Sequence, residues 1–393
     1  MTRTDQPGGI ARRAATRLVR VGRALAGPFV NPPVIHASTV LFDSVDDMQQ
    51  RRQPYVYGRR GTPTTESLET ALAELDAAAG AALLPSGLSA ATTAILSCVS
   101  AGDRILIVDT VYAPVRHFAD TVLKRLGVET AYYDPALGSG IEALFDERTR
   151  AVYAEAPGSL TFEMQDLAAI AAVARRHDAV TLFDNTWATP LYFRPLEHGA
   201  NLAVVAATKY IAGHSDLMLG YVAADASTWP RLKETHGMLG LHVGPDDVYL
   251  GLRGLRTLAV RLDRHARSAL RIARWLSERP EIARVLYPPL EGDPGHALWK
   301  RDMAGGSGLL GAVLAGWSEE QTKRFIDGLA LFGIGASWGG FESLAILAHP
   351  ERSRSVTRWH GEGPTIRLHV GLEDPDDLIA DLEAGFGRVA AGP

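Results

Sequence analysis

Short apolar runs alternate with helically spaced apolar residues through much of the chain. The segments 104–110 (RILIVDT), 129–134 (ETAYYD), 151–156 (AVYAEA), 179–185 (AVTLFDN) and 202–208 (LAVVAAT) are too short for typical helices. Most are rich in branched or aromatic side chains, so they predict strands. Between and before them, 66–78 (ESLETALAELDAA), 87–99 (GLSAATTAILSCV) and 166–177 (DLAAIAAVARRH) repeat apolar residues every three or four positions and predict helices. Near-continuous apolar strands interleaved with helices predict an α/β domain with a mostly parallel central sheet covered on both faces.

Two other patterns flank this one. Residues 1–60 carry Pro28, Pro32, Pro33 and Pro54 and predict an extended, irregular arm. From about 246 to 279, Leu255, Leu258, Leu262, Ala266, Ala269, Ala273 and Leu276 share one face, which predicts one long helix ending before Pro280. Beyond it, GLLGAVLAGW, a helix near 318–330, ESLAILAHP and TIRLHVGLED predict a smaller α+β domain. The expected division is an arm at 1–60, a large domain at 61–255 and a small domain at 256–393.

Composition narrows the function. The chain has 393 residues, 46% hydrophobic and 22% charged, enough for two folded domains. A formal net charge of −5 gives no reason to expect nucleic acid as a partner. No apolar run is long enough for a membrane span, and the arginines near the start surround no continuous apolar core, so neither a membrane nor a secretory route is expected. Cys98 is the only cysteine, which rules out a disulfide within the chain and suits a reducing cytoplasm. Cys98 itself sits on an apolar helical face and reads as a core residue.

One side chain stands out against its surroundings. Lys209 lies in LAVVAATKYIAGHSD, with Val204, Val205, Ala206 and Ala207 before it and Tyr210, Ile211 and Ala212 after it. An unpaired buried ammonium costs about several kcal/mol, so this lysine is at a surface, paired, or neutral for chemistry. Other candidates lie where ligands gather in such sheets, at the carboxyl ends of strands. Ser86 and Gly87 precede a helix whose free N–H groups suit a phosphate, or simply cap it. Asp184 closes an apolar strand as a buried carboxylate or as a helix cap, Tyr112 is a ring for a flat ligand or for the core, and Thr208 adjoins Lys209. One ligand satisfies all of them together. Pyridoxal 5′-phosphate takes a lysine imine, a carboxylate at its ring nitrogen, an aromatic plate and a phosphate cradle.

The blocks YVYGRRGTPT, PSGLSA, DTVYAP, FDNTWATP, AATKYIAGHSD, ASWGGFESL and IRLHVGLED, in this order, resemble the Cys/Met-metabolism family of pyridoxal-phosphate enzymes, from about residue 16 onward. Within it, SWGGFESL and IRLHVGLED are most like bacterial cystathionine β-lyases; the γ-lyases and γ-synthases usually have leucine where Trp338 stands. The resemblance implies the aspartate-aminotransferase type of fold. It implies that Lys209 binds the cofactor and moves the Cα proton. Asp184 would pair with the ring nitrogen, and Tyr112 would stack on the ring and, as a second catalytic residue, assist transaldimination. Ser86, Gly87, Leu88 and Thr208 would hold the phosphate, with Tyr57 and Arg59 supplied from a neighbouring subunit; Tyr57 would also reach substrate. Arg367, Ser337 and Trp338 would bind substrate. It further implies a homotetramer built from dimers that share active sites, with the arm reaching the neighbour.

The implied reaction is β-elimination on L-cystathionine, giving homocysteine, pyruvate and ammonia. A γ-lyase or γ-synthase of the same family, a lyase for cystine or another β-substituted alanine, and a non-catalytic cofactor-binding relative are the alternatives. A nicotinamide oxidoreductase lacks support, because no G-x-G-x-x-G follows the first strands. Two departures from the family pattern stand out: Ala206 replaces a serine common in relatives, and Arg20 and Val21 replace histidine and alanine.

Overall fold

A computed structural model describes residues 13–23, 25–361 and 363–391. Seven strands form the main sheet: β1 (Gly80–Leu84), β2 (Arg104–Val108), β3 (Glu129–Tyr133), β4 (Thr149–Glu155), β5 (Val180–Asp184), β6 (Leu202–Val205) and β7 (Gly220–Ala224). Their order across the sheet is β1-β7-β6-β5-β4-β2-β3. The pairings among β3, β2, β4, β5 and β6 are parallel, while β7 runs antiparallel to both β6 and β1. The sheet is therefore mostly parallel, as the pattern predicts.

Both faces are covered, and the two-residue period of β6 shows how. Leu202 and Val204 pack with the helices Gly87–Leu96 and Leu167–Arg176. Ala203 and Val205 pack with the helices Pro63–Asp76 and Pro245–Arg256 on the other side. Alternate side chains of a strand point to opposite faces, so a run apolar at every position belongs between two helical layers.

The C-terminal part holds a second sheet from β8 (Ile282–Leu286), β9 (Leu309–Leu314), β10 (Gly333–Ile334), β11 (Leu344–Ala348) and β12 (Thr365–His369), in the order β10-β11-β12-β9-β8. The helices Leu258–Ser277 and Pro375–Ala390 pack against it with a core that includes Ile272, Leu276, Leu378, Leu382 and Phe386.

Several local expectations change. Strands β1 and β7 escaped the sequence pattern because GAALL has no β-branched or aromatic residue and GYVAA has only Tyr221 and Val222 among glycine and alanine. The strand expected at 202–208 stops at Val205, and the chain turns at once to carry Lys209. The region before residue 60 is not wholly irregular. Ala14–Arg20 is helical, and Leu18 and Val21 are buried with Leu68, Leu72, Val248 and Leu252.

The expected single helix over 246–279 is two helices, Pro245–Arg256 and Leu258–Ser277, broken at Thr257. Its apolar face continues across the break, since Leu255 and Leu258 are both fully buried. What changes is the fate of the backbone carbonyls. Thr257 Oγ1 donates to the Gly254 carbonyl at 3.1 Å, and the buried Arg261 guanidinium donates to the same oxygen at 2.8 Å and to Tyr210 O at 2.8 Å. Side-chain donors inserted at a helix end interrupt its ladder. Gly213 makes room for Arg261: its φ is +71°, and a Cβ there would lie 1.9 Å from the guanidinium.

Among the described residues, no helix is long and apolar enough to cross a membrane.

Candidate active site

The carboxyl ends of β4, β5 and β6 meet the small domain at a cleft. Lys209 follows β6 in a tight turn, its N–H bonded to Ala206 O at 3.0 Å. Its Nζ donates to Ser337 Oγ at 2.8 Å and lies 5.4 Å from the centre of the Trp338 ring. Arg367, on β12, donates through one terminal nitrogen to Ser337 O at 3.0 Å and Ala336 O at 3.3 Å. Its Nε is buried without a partner. The alternation along TIRLHV left open whether Arg367 faces solvent; only 9% of it is exposed.

Burial, and then the nearby Arg367 charge, bring the Lys209 ammonium down to about 8. The lysine is thus neither a solvated surface group nor one side of an ion pair. It is an amine readily freed of its proton, as a nucleophile or a base must be.

The loop of Ser337 and Trp338 is held from behind. His369, two residues beyond Arg367 on β12, has Nε2 at 3.0 Å from Gly340 O and 3.2 Å from Gly339 N. Burial first, then the nearby His265, keep this imidazole neutral, well below its ordinary range at about 3. Two side chains of one strand therefore fix the whole ASWGG turn.

Opposite the lysine, Asp184 ends β5. Its carboxylate accepts from Thr186 N at 3.0 Å and from Tyr153 Oη at 3.3 Å. Next to it in register, at the end of β4, stands Glu155. Glu155 accepts from Tyr112 N at 2.8 Å and from Ser159 Oγ at 2.6 Å. Burial, and then Asp184, raise the Glu155 carboxyl, while burial raises that of Asp184. Two neighbouring buried carboxyls cannot both ionise unless a cation joins them. Among the described residues, no lysine or arginine side chain is hydrogen-bonded to either.

Tyr112 caps the helix Ala113–Phe118 and is 48% exposed toward the cleft side of this pair. Its hydroxyl is held in the neutral form by partial burial, then by the charges of Glu155 and Asp184, against a smaller opposing influence from Arg367.

The third part is the start of the helix Gly87–Leu96. Ser86 Oγ accepts from Ser89 N at 3.1 Å, and Ala90 N is the first to bond back along the helix, to Ser86 O at 3.0 Å. The N–H groups of Gly87 and Leu88 precede that ladder and lie at the positive end of the helix. Gly87 lets this end approach β6 closely, since a Cβ on it would come within 2.4 Å of the Ala206 side chain. Ala206 N in turn donates to Thr186 Oγ1 at 2.9 Å, linking the helix end to the Asp184 loop. Thr208 is already engaged: its Oγ1 donates to Leu219 O at 3.0 Å and accepts from Leu219 N at 2.8 Å.

Lys209, Ser337, Trp338 and Arg367 are thus joined in one group, and Asp184 and Tyr112 are joined through Glu155 in another. Tyr57 and Arg59 are not joined to them within one chain. Arg59 donates to Gly237 O at 2.9 Å, and Tyr57 is 48% exposed. Sequence reasoning passed over Glu155, although it closes an apolar strand just as Asp184 does; that signal was sufficient to find it. Tyr153, Ser159 and His369 carried no such signal.

These residues fit pyridoxal phosphate. A lysine with a lowered pKa can capture its aldehyde, the unmatched carboxyl pair suits a ring-nitrogen cation, and the free helix N–H groups suit its phosphate.

Comparison with known proteins agrees. Residues 15–387 match the family described as Cys/Met metabolism PLP-dependent enzyme. A protein of Bordetella avium named cystathionine beta-lyase is 43% identical over 394 residues, covering 97% of this chain and 99% of its own. Cystathionine beta-lyase MetC of Escherichia coli is 41% identical over 392 residues, covering 96% and 99%. The solved structure described as metB from Corynebacterium glutamicum superposes with a TM-score of 0.90 at 31% identity, covering 96% of this chain and 99% of that one.

Proposed function

The chain belongs to the Cys/Met metabolism PLP-dependent enzymes, and from that premise we propose that it is a carbon–sulfur lyase that splits L-cystathionine by β-elimination. The balance is L-cystathionine plus water giving L-homocysteine, pyruvate and ammonia. The observation that carries this reading is the meeting of the Lys209 amine, Ser337, Trp338 and the Arg367 guanidinium at one point of the cleft.

The cofactor is pyridoxal 5′-phosphate, which when bound supplies an electron sink conjugated to the substrate Cα. Lys209 and Asp184 hold its ring, and Ser86, Gly87 and Leu88 hold its phosphate. Thr208 contributes there only as far as its hydroxyl is released from Leu219. Arg367 pairs with the substrate α-carboxylate through the fork its partnerless Nε leaves available. Lys209 takes the Cα proton and returns a proton to the departing sulfur, a base and then an acid. Ser337 accepts from Nζ and so keeps the amine on the substrate side. Tyr112 covers the ring, held through its own N–H by Glu155. Trp338 borders the substrate side chain.

Tyr57 and Arg59 serve a neighbouring subunit in this reading, within a homotetramer of paired dimers. It is supported by large apolar side chains that one chain leaves uncovered, among them Phe29 at 71%, Leu41 at 86% and Met238 at 79% exposure. A cytoplasmic location belongs to this reading and suits the free, buried Cys98.

Product identity tests the reaction. With L-cystathionine, the expected keto acid is pyruvate and the expected thiol is homocysteine. Mostly 2-oxobutyrate with cysteine would instead assign γ-elimination.

The lysine gives a second expectation. Its pKa is lowered from 10.5 to about 8, so the uncharged, nucleophilic fraction grows as pH rises toward 8 and then saturates. Capture of pyridoxal phosphate by the cofactor-free protein should quicken about tenfold per pH unit below that point and flatten above it. Growth of visible absorption measures it. A rate still climbing at about pH 10 would mean an ordinary exposed lysine.

A further inference from the structure

We propose that Asp109 is a positioning residue that sets the distance between the ring-binding and carboxylate-binding halves of the active site. This rests on the reading of Tyr112 and Arg367 given above. Asp109 ends the run RILIVD at the carboxyl end of β2, three residues before Tyr112. It is fully buried, and it is shared between Arg116 of its own domain and the segment that enters β12.

That segment wraps the carboxylate. Oδ1 accepts from Ser355 N at 2.9 Å, Ser355 Oγ at 3.0 Å and a terminal nitrogen of Arg116 at 2.7 Å. Oδ2 accepts from Val356 N at 3.1 Å, Thr357 N at 2.8 Å and Thr357 Oγ1 at 2.7 Å. A carboxylate has about four lone-pair sites, so this one is saturated. Burial alone would raise its pKa, but the bonds from Thr357, Ser355 and Arg116 outweigh burial and bring it to about 2.

Both ends of this link are mechanically continuous with the site. On the large-domain side, Asp109 N donates to Tyr133 O at 2.8 Å, and Tyr112 N is held by Glu155. Arg116 is fixed as well, donating to Asp109 O at 2.9 Å with its guanidinium 3.6 Å from the centre of the Tyr132 ring. On the small-domain side, Arg354 reaches back to Thr161 and Glu163, and Trp359 Nε1 donates to Thr365 Oγ1 at 3.2 Å. Thr365 opens β12, and Arg367 is its third residue.

The cofactor contacts of Lys209, Asp184 and Ser86 all lie on the large domain and do not pass through this junction; Tyr112 adjoins it but is held separately by Glu155. The substrate carboxylate contact does pass through it. Loss of the link should therefore weaken substrate binding and leave the cofactor in place. A general weakening of the fold would not separate the two.

The test uses the cofactor-loaded enzyme and two variants. Asp109→Asn places an amide among donors. Ser355→Ala with Thr357→Val removes two donors from the opposite side and touches neither Tyr112 nor Arg367. For Asp109→Asn we expect KM for L-cystathionine to rise about tenfold or more, with kcat within about threefold. The dissociation constant for glycine, read by calorimetry, should rise by a similar factor, with visible absorption unchanged. The double variant should move the same quantities in the same direction by a smaller factor.

Wild-type KM and glycine affinity in both variants, with only the melting temperature lowered, would overturn the proposal. So would loss of cofactor in Asp109→Asn. If that variant does not fold, the double variant decides alone. If the wild type does not cleave cystathionine, the lyase reading fails while glycine affinity still reports on Asp109.

Discussion

Lys209→Ala is expected to lower turnover of L-cystathionine by about 10⁴-fold or more, because one amine supplies cofactor attachment, base and acid. No neighbour can replace it. Ser337 is a hydroxyl that accepts from Nζ, and Arg367 is a permanent cation whose guanidinium is engaged by two carbonyls. Glu155 is a buried carboxyl with a raised pKa, but its oxygens hold Tyr112 N and Ser159. The fold should survive, since Lys209 meets the rest of the protein through its backbone turn and one side-chain hydrogen bond, to Ser337. The checks are the visible absorption of the protein after reduction with borohydride, the circular dichroism spectrum, and single-turnover rates. A variant that still fixes the cofactor covalently and turns over near the wild-type rate would remove the basis of the functional reading.

Asp184→Asn should be the next most damaging change, costing about 10²- to 10³-fold in kcat and weakening cofactor retention. An amide keeps the shape and the contact with Thr186 N but carries no charge to match a ring-nitrogen cation. The effect should fall on kcat more than on KM, because Arg367 and Ser337 still bind the substrate. Dialysis against buffer followed by absorbance reads cofactor loss, and steady-state kinetics read the rest. Equal kcat in the two proteins would mean that the carboxylate charge opposite the ring is not what stabilises the developing carbanion. Glu155 would then be the group to examine, since it sits one strand away in register.

Much of this was legible in the residue order because strands announce their ends. An apolar run that stops at a carboxylate or a lysine marks a ligand position in a parallel sheet, and Asp184 and Lys209 both obey that rule. Glu155 obeys it too. Asp109 also closes an apolar run, but its oxygens are filled by protein donors, so the same signal there marks a junction and not a ligand position. Strands β1 and β7 were hidden because glycine and alanine carry little strand preference; their sequence records close packing instead. The break at Thr257 was hidden for a different reason. Its cause is a guanidinium arriving from one turn further on and binding carbonyls some fifty residues earlier in the chain. The joining of Ser337 to Lys209 spans 128 positions, and only the docking of β12 beside the large domain creates it. Tyr57 and Arg59 raise a further limit, since a site completed by a second chain is not contained in the folding of one.

Arg261 has a consequence for repeated turnover. Its guanidinium grips the carbonyls of Tyr210 and Ile211, the two residues after the lysine, and of Gly254 at the end of another helix. In each round the lysine side chain must swing away and come home. A stem bolted to two helix ends leaves that swing to the flexible methylenes alone, so the amine returns to the same spot however many rounds have gone before.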